Sequence, residues 1–272
     1  SGSSCCSPTC SDPSPTKRGS PMRFKGQRIV VTGGAGEIGG RIVEQLLREG
    51  ATVAVLDRQP PQGLQARHIA CDLSDPQGLE AVAAMLAAEP WDALINLAGV
   101  QYFGPMEREA PESLRRTLAI NLLAPMRLAQ AVTPGMRARG RGQIVNIGSI
   151  FGSINFAHFA SYSSSKAGLR AFSQALRREL AGSGVDVTYV APRAVKTGFN
   201  SAKVLEFAAL TKMAMDPPDQ VAARIVDAVA ARRRDVYLGF PEALFVRLNA
   251  LFPAVVDRAL AAADRRVAQL FA

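Results

Sequence analysis

Short apolar runs rich in β-branched residues alternate along the chain with longer stretches of helical spacing. Residues 28–32 form one such run, bounded by glycines, and 51–56, closed by Asp57, form a second. Runs at 68–73, 91–97, 144–147 and 185–190 continue the series, with a short one at 236–239. Runs of this length between turn residues predict buried strands. Between them, 41–49 carries apolar residues at helical spacing and stops at Gly50, and 76–88 begins after Ser74 or Asp75 as cap. Residues 111–131, 160–180 and 221–231 are expected to be helices as well. Strands alternating with helices predict an α/β fold, with a single doubly wound parallel sheet covered by helices on both faces.

The first strand is followed by Gly33-Gly34-Ala35-Gly36-Glu37-Ile38-Gly39-Gly40, and the second ends in Asp57. Strand, glycine turn, helix, strand and acid is the order a Rossmann-type dinucleotide site requires. The glycines let the backbone turn sharply and approach a pyrophosphate, which the helix N-terminus stabilises. Asp57 would accept hydrogen bonds from the ribose hydroxyls and repel a 2′-phosphate, which favours NAD. Arg58 beside it keeps NADP open, because a guanidinium binds that phosphate. The alternative is an ordinary glycine-rich turn with a surface aspartate.

Tyr162 and Lys166 lie four apart on an expected helix and so share a face. A phenol is a poor base near neutral pH, since its reference pKa is about 10. A neighbouring ammonium favours the phenolate, and the Ser149 hydroxyl can polarise a carbonyl. The glycine turn, Asp57, Asp72, Asn96, Ser149 and Pro192 all fall at the carboxyl edge of the expected sheet, where ligands bind in such folds. Asn121 stands inside an expected helix although Asn is a poor helix former.

The chain has 272 residues, 48% of them hydrophobic and 20% charged, which is enough for one sizeable domain. Its formal net charge of +9 suits an anionic cofactor or substrate, and the scattered arginines lack the focused, aromatic-lined face that nucleic acid needs. Cys5, Cys6 and Cys10 crowd the first ten residues while Cys71 stands alone; this is no disulfide framework, and a reducing, cytoplasmic setting is expected. No metal site is expected from these cysteines. Residues 1–22 read as a flexible tail, 23–240 as the dinucleotide-binding and catalytic domain, and 241–272 as an amphipathic helical extension on that domain. The longest uncharged stretch, 143–165, carries Asn146, Ser149, Asn155 and His158, so it is expected to be strand and active-site loop, not a membrane span.

Over 24–239 the sequence resembles the short-chain dehydrogenase/reductase family. The resemblance rests on motifs recurring in order: Thr32-Gly33 to Gly39, Asp72, Asn96-Leu97-Ala98-Gly99, Asn121, Ser149, Tyr162 with Lys166, and Pro192 to Thr197. It implies that Tyr162 is the acid/base, that Ser149 orients the substrate carbonyl, and that Lys166 lowers the tyrosine pKa and holds the nicotinamide ribose. Asn121 would position a water in the proton relay. Thr32, Gly33, Gly36, Glu37, Ile38 and Gly39 would form the phosphate turn. Asp72, Leu73, Asn96, Ala98 and Gly99 would line the adenine side, with Pro192 and Thr197 near the carboxamide. Three positions depart from the family's shorter members. Glu37 replaces a glycine, which leaves the T-G-x-x-G-x-x-G spacing typical of the family's extended members. It stands at a helix start where the dipole favours a carboxylate but where it would crowd or repel a pyrophosphate. Leu97 replaces a second asparagine. Arg193 replaces the glycine after Pro192, and would either tighten that loop or meet an anion.

The segment 199–215 has the position of the family's variable substrate lid and is apolar and methionine-rich. With Phe151, Ile154, Phe156 and Phe159 it points to a small hydrophobic alcohol or ketone, fatty-acyl or steroid-like. An acyl group could also arrive on an acidic acyl carrier protein or coenzyme A, with Arg137, Arg139, Arg141, Arg177 and Arg178 as contacts. Leu244, Phe245, Leu248, Leu251 and Phe252 share one helical stripe. It would cover the pocket or a subunit interface, rest peripherally on a membrane surface, or pack as core. A homodimer or homotetramer is expected. The rival to an enzyme is a non-catalytic NAD-binding module, which would not need Asn121, Ser149, Tyr162 and Lys166.

Overall fold

The computed structural model describes residues 22–239 and 241–272, so the expected tail up to residue 21, with its three cysteines, lies outside the described residues. Seven strands form one sheet in the order β3-β2-β1-β4-β5-β6-β7, all parallel. They are β1 (Arg28–Thr32), β2 (Thr52–Asp57), β3 (Arg67–Ala70), β4 (Ala93–Asn96), β5 (Gly142–Ile147), β6 (Val185–Ala191) and β7 (Asp235–Tyr237). Alternate strand residues feed two cores. Ile29, Val31, Val53 and Val55 face α1 (Glu37–Arg48) and α7 (Pro218–Ala230). Val30, Ala54, Leu56 and Leu94 face α2 (Pro76–Ala87) and α4 (Ala124–Ala138). Burial on both faces explains why the strands read as continuous apolar runs and not as alternation.

The chain winds outward from β1 to β3, then returns to place β4 on the other side of β1, with Thr32 paired to Asn96. The crevice between those two carboxyl ends is the switch point where such sheets bind ligands.

Several boundaries differ from the sequence reading. Strand β3 stops at Ala70, because beyond Cys71 Asp72 caps a local turn through Ser74 N and Ser74 Oγ. The cap of α2 is Asp75, which accepts from Gln77 N and Gly78 N, and not Ser74. The expected helix 111–131 is α3 (Pro111–Leu118), one π turn (Ala119–Leu123), and α4 running on past Pro134 to Ala138. The helix bearing Tyr162 and Lys166 is α5 (Ala160–Glu179), and the segment 199–215 folds around α6 (Ala202–Leu210).

The C-terminal extension is two helices, α8 (Glu242–Leu251) and α9 (Pro253–Ala268). Val246 and Val256 bury against Ile154, while Val267 and Phe271 enter an aromatic cluster with Phe151, Phe159 and Phe207. The expected apolar stripe is not what packs. Leu244, Phe245, Leu251 and Phe252 are 56%, 45%, 72% and 56% exposed, and of the five only Leu248 packs inward. No helix among the described residues is long and apolar enough to cross a membrane.

Candidate active site

A cleft of about 620 Å³ opens at the carboxyl ends of β1, β2, β4, β5 and β6. Its floor is the glycine turn. A Cβ on Gly33 would lie 2.9 Å from Ala98 Cα, and one on Gly39 would lie 2.1 Å from Gly33 O, so only hydrogen fits at either position. Gly33 also holds a left-handed φ of 72°. No side chain caps α1 at Gly36, and its first turn, Glu37 to Gly39, lines the cleft. A close-approach turn feeding a helix N-terminus is what a pyrophosphate needs, so this floor fits a dinucleotide.

Asp57 stands at the end of β2 with its carboxylate fixed by Ala35 N (3.1 Å) and Gln59 N (3.2 Å). Arg58, Asp72 and Leu73 line the same end of the cleft. The Asp72 carboxyl is held below its ordinary value by the Ser74 hydroxyl and N–H, with Arg58 and Arg116 adding to the effect. Arg116 was not singled out from sequence. Helical spacing does not mark it; only the fold brings it to this end of the cleft.

Two residues of the expected cofactor set do not reach the cleft. Thr32 is 2% exposed, and its hydroxyl accepts from Leu97 N and Ala98 N, both at 3.0 Å. It clamps the β4 loop against β1. Asn96 is equally buried and donates to Asn146 Oδ1 at 2.8 Å, whose own amide donates to Ser173 Oγ. That chain of polar groups ties β4 and β5 to α5. Ala98, Gly99, Pro192 and Thr197 do line the cleft, as do Gly33, Gly36, Ile38 and Gly39.

Ser149, Tyr162 and Lys166 converge on one wall, each less than a tenth exposed and each lining the cleft. Ser149 follows β5 and accepts from Phe151 N at 3.2 Å, which fixes its rotamer. Lys166 donates to Ile147 O at 3.0 Å, and its Nζ lies 5.9 Å from the centre of the Tyr162 ring. Burial pushes the Tyr162 phenol up to about 12, with a hydrogen bond from Ser149 pulling the other way. Burial also lowers Lys166 to about 8. Thus desolvation, and not the lysine charge, dominates the tyrosine in this structure.

Asn121 sits in the π turn with no exposure. Its amide donates to Val100 O (2.8 Å) and Ser165 Oγ (3.0 Å), and its Oδ1 accepts from Val100 N (2.9 Å). The side chain therefore joins the β4 loop to α5 instead of opening on the cleft, and it pairs with Ser165 three residues after Tyr162. A π bulge carrying a polar residue is common at functional sites.

Beyond Tyr162 the cleft becomes apolar. Phe151, Phe159, Val204, Phe207, Met213 and Met215 line it. Phe156 stands behind, 4.7 Å from Phe151 between ring centres, and Ile154 faces the C-terminal helices instead. Arg193 grips Asp216 with a two-pronged contact (2.6 and 3.0 Å), so it tightens the loop after β6. The arginines expected to meet a carrier lie elsewhere. Arg137, Arg139 and Arg141 precede the start of β5, and Arg177 and Arg178 end α5, so both groups stand at the amino edge of the sheet, opposite the cleft. Arg139 donates to Trp91 O, and Arg177 pairs with Asp235.

Comparison with known proteins agrees with this architecture. The family profile described as short chain dehydrogenase matches residues 27–206. The 3-oxoacyl-[acyl-carrier-protein] reductase FabG of Escherichia coli (strain K12) is 32% identical over 192 residues, covering 66% of this chain and 78% of that protein. The ketoacyl reductase HetN of Nostoc sp. is 31% identical over 254 residues, 86% of this chain and 88% of its own length. Among solved structures, one described as an NAD(P)-dependent gluconate 5-dehydrogenase from Beutenbergia cavernae, with NADP bound at low occupancy, superposes with a TM-score of 0.72. It is 28% identical, covering 80% of this chain and 97% of that one. The chain belongs to the short-chain dehydrogenase/reductase family, oxidoreductases that act on CH–OH and keto groups with NAD(P).

Proposed function

We propose that this enzyme interconverts a secondary alcohol and a ketone on a lipophilic substrate. The observation that carries this reading is the Ser149–Tyr162–Lys166 wall opening directly onto an apolar, phenylalanine- and methionine-lined space. Bound nicotinamide accepts or supplies the hydride. Ser149 holds the substrate oxygen, and Tyr162 moves the proton on or off it. Lys166, brought by burial to about 8, can exchange a proton near neutral pH behind the tyrosine. Asn121 acts as a positioning residue in this relay, through Val100 and Ser165. Asp57, fixed at the ribose end, makes NAD the preferred cofactor, while Arg58 and Arg116 would serve a 2′-phosphate.

A narrower reading, reduction of a 3-oxoacyl thioester, is favoured by the likeness to FabG and HetN. An acyl chain on an acidic carrier or coenzyme A would then enter at the apolar end of the cleft, beside Phe151, Phe207 and Met213. The experiment is nicotinamide fluorescence with NAD and NADP against a panel of hydrophobic alcohols, ketones and 3-oxoacyl thioesters. Turnover of lipophilic members with NAD over NADP is expected. Tight cofactor binding with no turnover of any member would favour a non-catalytic module.

The exposed stripe of α8 supports a homodimer or homotetramer. Residues 241–272 carry four arginines against Glu242, Asp257 and Asp264, a near balance. A helix pair resting on anionic lipid is expected to be richer in basic residues, so a second copy suits this face better than a membrane surface. Light scattering of the intact chain against Leu251→Asp, with liposome sedimentation alongside, separates the two.

A further inference from the structure

Glu37 replaces a glycine of the family's shorter members, and the structure gives it a partner. It is the first residue of α1 and is exposed on the cleft floor. Its Oε1 accepts from Gly198 N at 2.5 Å, across 161 residues of sequence. Gly198 follows Thr197 in the loop between β6 and α6, which forms the opposite wall of the cleft through Val195, Thr197, Phe199 and Asn200. A Cβ on Gly198 would already lie 3.2 Å from that carboxylate oxygen. The backbone on the Glu37 side is also anchored. Arg41 donates to Glu37 O (2.7 Å) and to Asp219 Oδ1 (2.5 Å) at the start of α7. On the other side Gln101 donates to Phe199 O, and Asn200 to Val195 O. The Glu37–Gly198 bond is therefore a polar strut between two walls that each have their own anchors.

Glu37 is the acidic residue of the first turn of α1, directly after the glycine turn, where a helix N-terminus favours negative charge. A dinucleotide's pyrophosphate seeks the same place. The geometry points to Glu37 as a clasp that joins the phosphate turn to the substrate lid and that the cofactor must open. Two anions do not share one helix start, so cofactor entry displaces the carboxylate and frees Gly198 N. The lid loop is thereby released from the phosphate turn when the cofactor enters. Glu37 acts as a positioning residue that sets cofactor affinity and couples it to the lid. This inference rests on the dinucleotide reading of the cleft.

The test compares Glu37→Ala and Glu37→Gln with the unmodified chain, by calorimetric titration with NADH and NADPH and by amide hydrogen exchange without nucleotide. Glu37→Ala is expected to bind the favoured nucleotide about tenfold tighter, the scale of one charge-assisted hydrogen bond no longer broken on entry. The segment around Gly198 should exchange faster in that variant. Glu37→Gln keeps an acceptor without the charge, so it should retain most of the protection while still binding tighter. Equal or weaker binding by Glu37→Ala, or unchanged exchange around Gly198, would overturn the clasp. If the unmodified chain and both variants all fail to bind either nucleotide, the dinucleotide reading falls and the coupling with it. The exchange comparison would still show whether the strut itself exists.

Discussion

Tyr162 and Lys166 are adjacent on α5, yet burial drives them in opposite directions on the pH scale. Tyr162→Phe removes the only phenol on the catalytic wall and is expected to cut turnover by at least about a thousandfold, the upper part of the range for acid–base groups, while leaving nucleotide affinity within about twofold. Steady-state kinetics and a nucleotide titration would show it, and near-full activity would exclude the tyrosine. The lysine makes a separate statement about stability. Its folded value of about 8 lies below the ordinary 10.5, so between these limits the unfolded chain binds more protons than the folded one. Stability then rises with pH from about 8 toward 10.5 and is lost as pH falls through 8. Tyr162 is raised, so its opposite effect begins only above 10. Between pH 8 and 9, before the buried Cys71 thiol begins to act in the opposite sense, the melting temperature should climb, and in Lys166→Met that climb should vanish. At pH 7 the same variant should be more stable by up to about 3 kcal/mol, although inactive. At this scale type and spacing picked out Ser149, Tyr162 and Lys166, and the fold brings the three to one wall of the cleft. The sequence did not show that the Thr32 and Asn96 side chains hold the β4 loop instead of lining the cleft, because an ordered motif does not tell a side chain facing ligand from one clamping the loop beneath it.

Among the elements, the π turn Ala119–Leu123 is the one whose form the sequence concealed. Helical spacing continues through it, so 111–131 reads as one helix. Asn121 was legible only as a poor helix former in an odd place, and the reason lies outside its own helix. One extra residue in the turn brings its amide to the backbone of Val100 and to Ser165 at once. Asn121→Ala would leave the part-buried N–H and carbonyl of Val100 without their partner, while the Ser165 hydroxyl keeps its bond to Tyr162 O. A loss of about 3 kcal/mol is expected, on the scale of one to three for each unsatisfied buried group after relaxation. Urea unfolding measures it. Turnover should fall with the β4 loop displaced, even at low denaturant where the variant is still folded. A loss below about 1 kcal/mol would mean that water replaces the amide and that the junction is not held by this residue. The central strands, by contrast, were readable to within two residues at each end, since burial on both faces leaves a continuous apolar run. The edge strands β3 and β7, partly exposed, were read two to three residues too long at their carboxyl ends.

At the scale of the whole molecule, the C-terminal helices decide how the substrate space is closed. The sequence marked an apolar stripe on α8, but the contacts to the pocket come from the far end of the extension. Periodicity identifies an apolar face without naming what it meets, and here α8 docks through Val246 and Leu248 while most of the marked stripe stays outside. Phe271 is 8% exposed, with its ring 5.0 Å from Phe103 and 4.8 Å from His158 between centres. Arg108 donates to its carbonyl at 2.8 Å, and Lys203 of α6 lies 4.9 Å over its ring. Phe103 in turn stacks on Phe159 at 4.5 Å, and Phe159 lines the cleft. The last turn of the chain therefore supports the substrate wall through one intervening ring and steadies the lid helix through another contact. Removing this ring should act on stability and selectivity together. Phe271→Ala is expected to cost about 3 kcal/mol, the low end for a buried phenylalanine because the site lies near the surface and can relax. It should also raise KM for long or bulky lipophilic substrates by several-fold, with cofactor KM unchanged, since the glycine turn and Asp57 lie outside this aromatic cluster. Phe271→Leu, which keeps most of the volume, should recover the larger part of both. Loss of stability with no change in substrate KM would show that the extension stabilises the fold without shaping the pocket.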